Sequence, residues 1–312
     1  MMDRRKLMIM GASLATFSGA ARADTWPSKP IRFVIPYGPG GTFDSYGRKF
    51  AQALGQSLHA TVAPINSPGA AGKKAIFQLL QEKPDGYMVS LAAVPGILMS
   101  DESGPIDLKK LTWVANLGRD VYGLAVGKNS AIKKVADLKA LSAKRPVVFA
   151  STGKGSTDYF ATKVFAATMG INVRLVSGYN DSPNTVIAVT RGDVDCVVHS
   201  LATLKQMQAS GLVRTLFVFQ DHSGMAGIED AAALGKPDLG QIFQWRPVCA
   251  PPALPAAIVT RLSNGLVAAA KSPDISAWAA KLETNIYPLD AAATAKMIQT
   301  QSQLVAKWRS VL

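Results

Sequence analysis

From residue 31 onward, short apolar runs alternate with longer stretches in which apolar residues recur every three or four positions. Short runs bounded by turn residues read as strands, and the longer periodic stretches read as amphipathic helices. On this basis residues 31–36 form a strand, Gly38-Pro39-Gly40-Gly41 turns the chain, and residues 44–58 form a helix. A strand over 61–65 runs into Asn66-Ser67-Pro68-Gly69-Ala70-Ala71-Gly72 and a helix over 73–81. Pro84-Asp85-Gly86 then marks a turn before a strand at 87–92. A strand at 122–126 and a helical segment around Leu138 follow.

A second series repeats this logic. A strand at 147–150 leads into Ser151-Thr152-Gly153-Lys154-Gly155-Ser156-Thr157 and a helix ending at Met169, then a strand at 173–176 and a helix at 182–190. Arg191-Gly192-Asp193 turns into a strand at 194–199, and another strand covers 213–219. Residues 224–241, rich in Gly, Ala and Asp, read as surface loop with one short helix before a strand at 244–250. Pro255 sits near the first position of a helix over 256–271, where its missing N–H costs nothing. Helices over 274–282 and 291–308 complete the chain and are expected to pack back on the first lobe. Alternation of strand and helix signals is the pattern of parallel sheets with helical crossovers, so the fold class is α/β.

A length of 312 residues with 48% hydrophobic and 18% charged positions supplies two cores, and no repeat or low-complexity tract is visible. The first 23 residues differ from the rest. Arg4, Arg5 and Lys6 precede an apolar stretch over 7–17, and Ala21-Arg22-Ala23 follows, which is the order of a secretory signal cleaved to leave Asp24 first. A basic n-region of this kind serves both Sec and twin-arginine export. Gly11, Ser13, Thr16, Ser18 and Gly19 interrupt the run, which is too short for a membrane anchor. No later segment is apolar enough to span a bilayer, so a soluble exported protein is expected. The signal carries +3 of the formal net charge of +13, leaving about +10. That balance disfavours a cationic ligand. Basic residues are scattered rather than interleaved with aromatics, and export argues against nucleic acid. Cys196 and Cys249 each lie in an apolar run and read as buried thiols, although two cysteines in an oxidising compartment could also pair.

Candidate chemistry narrows the reading further. Glycine-rich turns at 38–44, 66–72 and 151–157 each stand between a strand's carboxyl end and a helix start. A helix N-terminus offers unpaired N–H groups and partial positive charge, and glycine lets an anion approach them closely. Each turn taken singly is also explained by ordinary turn chemistry; its recurrence in both halves points to a shared cleft for one or two carboxylates. The G-x-x-x-x-G-K-[ST] and G-x-G-x-x-G spacings are absent, so ATP or dinucleotide binding is not expected. His59, His199 and His222 lie far apart with no metal-ligand spacing, and no G-x-S-x-G elbow occurs. No cofactor, metal or enzymatic activity is expected.

The run Pro30-Ile31-Arg32-Phe33-Val34-Ile35-Pro36-Tyr37-Gly38-Pro39-Gly40-Gly41-Thr42-Phe43-Asp44 resembles the opening of the Bug-type substrate-binding receptors of tripartite tricarboxylate transporters. The likeness continues through Asn66-Ser67-Pro68-Gly69-Ala70-Ala71-Gly72, Pro84-Asp85-Gly86-Tyr87, Gly178-Tyr179, Gly192-Asp193-Val194-Asp195 and Cys249-Ala250-Pro251. The resemblance implies a type II periplasmic-binding-protein fold: two α/β lobes joined by two crossing strands, with the ligand cleft between them. It implies domain I over 24–123 plus 248–312 and domain II over 124–247. It assigns one carboxylate to Tyr37, Gly40, Gly41, Thr42, Phe43, Asp44, Asn66, Pro68, Gly69, Ala70, Ala71 and Gly72, mostly through backbone N–H groups and ordered water. Ser151, Gly155, Ser156 and Thr157 face them from the opposite lobe, with Tyr179, Ser182 and His199 nearby.

The implied partners are a small carboxylate and the membrane permease subunits of such a transporter, with the receptor a monomer. The alternative is a periplasmic sensor presenting its ligand to a signalling partner. Four positions depart from the family's pattern: His199 replaces a usual Asp, Asn180 a frequent Lys, Phe43 a small polar residue and Ser67 a frequent Arg. An aspartate can hold an amine, whereas a histidine can donate to a second anion, stack, or sit satisfied in the core. A ligand lacking an amine is expected, with Phe43 as an apolar wall that suits an aromatic or longer aliphatic acid.

Overall fold

Two strands carry the chain between its halves. The first is β4 (Thr112–Gly127), whose 16 residues exceed any other strand. Its first part pairs antiparallel with β10 (Phe243–Ala250), from Thr112 opposite Ala250 to Val121 opposite Phe243. Its second part pairs antiparallel with β7 (Cys196–Ser200), from Tyr122 opposite Ser200 to Val126 opposite Cys196. The return crossing is β10.

A computed structural model describes residues 26–100, 108–179 and 182–312. The expected signal peptide over 1–23, its cleavage before Asp24, and Asn180 lie outside the described residues.

The first lobe is built from β1 (Ile31–Ile35), α1 (Thr42–Leu58), β2 (Val62–Asn66), α2 (Lys73–Leu80) and β3 (Met88–Leu91). Strand β1 runs parallel to both β2 and β3. Ile31, Phe33, Val34 and Ile35 are all buried, the near-continuous apolar pattern of a strand covered on both faces. Helix α1 buries Phe43, Tyr46, Phe50, Leu54 and Leu58 along one stripe. The second lobe contains α3 (Val135–Ser142), β5 (Val147–Ser151), α4 (Thr157–Met169), β6 (Val173–Ser177), α5 (Ser182–Arg191), β7, α6 (Leu201–Ala209), β8 (Val213–Val218) and β9 (Glu229–Asp230). Here β5 runs parallel to β6 and β7. After β10 the chain adds α7 (Ala256–Ala270), α8 (Pro273–Lys281), β11 (Ile286–Leu289) and α9 (Ala291–Lys307).

The strand order is β2-β1-β3-β10-β4-β7-β5-β6, with β8 and β11 also on β4. The parallel strands of each lobe present their carboxyl ends, Ile35, Asn66 and Leu91 on one side and Ser151, Ser177 and Ser200 on the other, where open α/β sheets hold ligands.

Three features differ from the sequence expectation. Strand β4 begins ten residues before the expected 122, because Val114, Ala115 and Leu117 are buried while Asn116 and Gly118 break the apolar run. Strand β11 falls where the pattern suggested only helices; it pairs with β4 at Ile286–Gly118 and Leu289–Asn116. Its short I-Y-P-L segment has no local strand signature and is created by its neighbour. Helix α9 does pack back, lying along β4, while the terminal turn at Arg309–Val311 also reaches α4 of the second lobe. Cys196 and Cys249 are both buried and free, matching their apolar surroundings.

Candidate functional site

A cavity of about 250 Å³ lies where the two sets of strand ends meet. The first lobe contributes Tyr37 and the backbone of Gly69, Ala70, Ala71 and Gly72. From the second lobe come Thr152, Gly153 and Lys154 after β5, and Gly178 and Tyr179 after β6. Its volume is below the roughly 300–1,000 Å³ of drug-sized ligand pockets, which limits the occupant to a small molecule.

The run from Gly69 to Gly72 has positive φ at every position, at 141°, 48°, 55° and 92°. Glycine accepts such angles freely, but each alanine in the left-handed region costs roughly 1–2 kcal/mol. Strain of this kind concentrates at ligand clamps, and consecutive turn residues of this type make the concave main-chain surfaces that accept anions. Helix α2 starts immediately afterwards at Lys73, and Gly72 N–H already donates to Gly69 O at 3.0 Å. Burial, and after it the positive charge of Lys154 on the opposite lobe, lowers the pKa of Lys73. Lys154 lines the cavity, and Lys73 at the start of α2 is near enough to feel its charge.

The expected loop at 38–44 serves as scaffold for this surface. Asp44 is buried, and its carboxylate accepts from Gly40 N–H at 3.1 Å, Arg48 Nε at 3.0 Å and Asn66 Nδ2 at 2.8 Å. Burial alone raises its pKa, but the hydrogen bonds from Arg48, Asn66 and Gly40 outweigh that and hold it below the usual carboxylate value. Asn66 also donates to Tyr37 O at 3.0 Å, so both turns are tied together through its amide. Gly41 precedes α1 as its N-cap and Thr42 opens the helix, both half-buried, while Pro68 is exposed just before the strained run. Tyr37 reaches the strained run directly, donating its hydroxyl to Ala71 O at 3.4 Å, with its ring 4.9 Å from that of Phe43.

On the second lobe the residues after β5 are cross-tied in the same way. Ser151 Oγ accepts from Gly153 N–H, and Asp158 accepts from the Thr152 N–H and hydroxyl at 2.8 and 2.7 Å. Ser156 caps α4, donating to Gly153 O and accepting from Tyr159 N–H. Gly155, Ser156 and Thr157 are buried against Gly96 of the first lobe, whose N–H donates to Thr157 Oγ1 at 3.2 Å. The mouth of α4 is thus occupied by protein, and the cavity is lined by the residues just before it. Ser182 begins α5, following the Gly178-Tyr179 turn.

His199, near the end of β7, is 6% exposed; its Nδ1 lies 3.3 Å from Ser200 Oγ and its Nε2 has no hydrogen-bond partner among the described residues. Burial pulls its pKa down to about 4, with Asp158 opposing, so the ring is neutral at pH 7.

One residue beneath the cleft carried no sequence signal. Arg246 on β10 is 1% exposed and forms an ion pair with Asp120 of β4. Its guanidinium carbon lies 4.4 Å from the Tyr46 ring centroid and 5.1 Å from that of Phe43. Burial disfavours its charge, but Asp120 and Tyr46 more than compensate. Thr152, Gly153, Lys154 and Gly178 were also outside the expected set; the first three lie inside the 151–157 turn that the sequence did single out.

A larger cavity of about 420 Å³ opens beside the crossing strands. Its charged walls are already satisfied: Arg119 sits 4.4 Å from the Phe243 ring and 4.6 Å from that of Tyr287, and Lys205 pairs with Glu283. The smaller cavity, walled by turns from both lobes, is the better candidate.

Two α/β lobes, two crossing strands and a polar cleft at the strand ends define a solute-binding receptor of the periplasmic-binding type. The model for the tripartite tricarboxylate transporter family receptor matches residues 47–312, and the chain belongs to that family. A UPF0065 protein of Bordetella bronchiseptica is 29% identical over 278 residues, covering 87% of this chain and 82% of that protein. Among solved structures, an R. palustris protein with adipate superposes with a TM-score of 0.81 at 23% identity, covering 92% of this chain and 97% of the other. MatC from Rhodopseudomonas palustris with bound malate gives a TM-score of 0.81 at 18% identity, with coverage of 91% and 99%. Among the described residues no helix is long and apolar enough to cross a membrane.

Proposed function

We propose that this receptor captures a small carboxylate lacking an amine and delivers it to the membrane permease subunits of a tripartite tricarboxylate-type transporter, working as an exported periplasmic monomer. The observation that carries this reading is the shared cavity, in which the strained 69–72 run of one lobe faces Thr152, Gly153 and Lys154 of the other. The left-handed main-chain turn and Lys154 support reading it as an anion site. His199, which by the family resemblance replaces a usual Asp, is buried and neutral, and this supports a ligand without an amine. Adipate and malate in the cited neighbours are acids of the same class.

The mechanism of this proposal is hinge closure. A ligand touching both lobes stabilises the closed arrangement in proportion to its differential affinity for it. We place the lobe boundaries at residues 123/124 and 247/248, on the two crossing strands. Native mass spectrometry of protein purified without refolding is expected to show a retained organic acid, unchanged on release. Thermal-shift screening is expected to show stabilisation by amine-free acids. Stabilisation by aspartate or glutamate alone would overturn the amine-free assignment, and turnover of the retained molecule would overturn the receptor role.

A further inference from the structure

We propose that the base of the second lobe is a docking groove for an acidic, extended protein segment; attributing that segment to the membrane partner rests on the receptor reading above. Strands β5, β6 and β8 begin at this base, at Val147, Val173 and Val213, and β4 ends there at Gly127. The ligand cavity lies at the other end of the same strands, roughly 15 Å away along the five residues of β5. Three cavities of about 480, 440 and 400 Å³ open on the base, and they share walls. Gly192, Val194 and Asp195 line the first two, while Arg145 and Asp195 line the last two, so one groove runs around Asp195. Gly192-Asp193-Val194-Asp195, a motif of the family resemblance, takes no part in the ligand cavity and forms the floor of this groove.

Charge decides what the groove accepts. Residues 128–145 carry six basic side chains and one acid, a net +5 within 18 positions out of +13 for the whole chain. All six basic residues are exposed. Two of the three lining acids are spent within the protein. Asp137 accepts from the Lys133 and Lys134 N–H groups at 2.7 and 3.1 Å. Asp195 accepts from Arg145 Nη1 and Nη2 at 2.7 and 2.8 Å and from Val148 N–H at 2.8 Å. The third, Asp193, is exposed. Lys128, Lys144, Arg174 and Arg191 put at least one cation on the wall of each cavity, and their side chains have no ion pair or hydrogen bond among the described residues. Gathered like charge opposes the compact state, so this recess gains from an anion supplied from outside. A narrow polypeptide can lower its carboxylates into the groove and form charge-assisted hydrogen bonds with Arg174 and Arg191, whereas a flat bilayer would meet only the rim. Attraction of this kind sets encounter rate and partner choice and weakens with salt. Because the groove lies at the far end of the strands from the cleft, a second lobe docked there leaves the first free to close on its cargo.

The test is fluorescence anisotropy with a labelled dodecapeptide of alternating Glu and Gly, at about 20 and about 150 mM NaCl, between which screening sharpens. Wild type is expected to bind the peptide at the lower salt and at least tenfold more weakly at the higher. The triple variant Lys128→Glu, Lys144→Glu, Arg174→Glu is expected to lose at least tenfold in affinity. The same three positions changed to Gln add no new charge to the fold and are expected to cost severalfold. A control triple, Lys83→Glu, Lys271→Glu, Lys296→Glu, shifts net charge equally at exposed positions elsewhere and is expected to stay within twofold of wild type. Equal loss in the groove and control triples, or no peptide binding by wild type, overturns the groove. Binding of wild type to phosphatidylglycerol vesicles but not to the peptide, lost in the groove triple, overturns the protein segment in favour of a lipid surface. The thermal-shift response to malate and adipate is expected to be the same in wild type and the groove triple; a response lost only in the triple overturns the separation of groove from cleft. Peptide binding that persists while no acid binds wild type overturns the receptor reading and the attribution to a membrane partner, and leaves the groove standing.

Discussion

His199 ties ligand chemistry to proton binding. Its burial holds the imidazole neutral, with a pKa of about 4 in the folded protein against 6.5 as its ordinary value, in spite of Asp158 nearby. Between those pH values the unfolded chain binds a proton that the folded chain does not, so stability is retained above about pH 6.5 and lost as pH falls toward 4. The group contributes at most about 3 kcal/mol across this window, given 1.36 kcal/mol per pKa unit. Urea denaturation of wild type and His199→Gln at pH 7 and pH 4.5 is expected to show a shallower loss in the variant. Asp44 works in the same direction at lower pH. Its three hydrogen bonds hold Gly40, Arg48 and Asn66 in place, and Asp44→Ala removes all three, at a cost of about 1–3 kcal/mol. A lowered Tm together with weaker acid binding is the expected result, because Asn66 also holds the Tyr37 carbonyl. Both residues were visible in the sequence as members of a turn or strand end. Their partners were not, since hydrogen bonds between distant segments leave no local pattern.

The elements that matter most are those where one lobe meets the other. Gly96 follows β3, and a Cβ added there would lie 2.2 Å from Ser156 C and 2.3 Å from Thr157 N. Both contacts are with main chain, which cannot rotate away. Gly96→Ala is therefore expected to hold the lobes apart at the mouth of α4, lowering acid affinity at least tenfold while leaving far-ultraviolet dichroism unchanged; small-angle scattering with saturating acid would show the larger radius of gyration. The sequence did mark the turn at 151–157, but it could not tell that Gly155, Ser156 and Thr157 would be covered by Gly96 while Thr152, Gly153 and Lys154 line the cavity. The distinction depends on a chain segment some sixty residues away in sequence.

At the scale of the whole molecule, closure and stability are linked. A ligand that binds only the folded protein stabilises it by about 2.7 kcal/mol at a hundredfold excess over Kd, so the acid that raises Tm most should also contract the radius of gyration most. Equal contraction by acids that differ in stabilisation would separate binding from closure. The alternating apolar pattern, the glycine-rich turns and the motif order were sufficient by themselves to establish the α/β class and the receptor family, because each is written in contiguous residues. Strand β11, the full length of β4 and the burial of Arg246 against Asp120 were decided only in three dimensions. A short strand forms because a neighbour offers an edge, and an arginine stays charged in the core only because a carboxylate from the facing strand meets it. Neither condition exists until the lobes have assembled around the crossing strands.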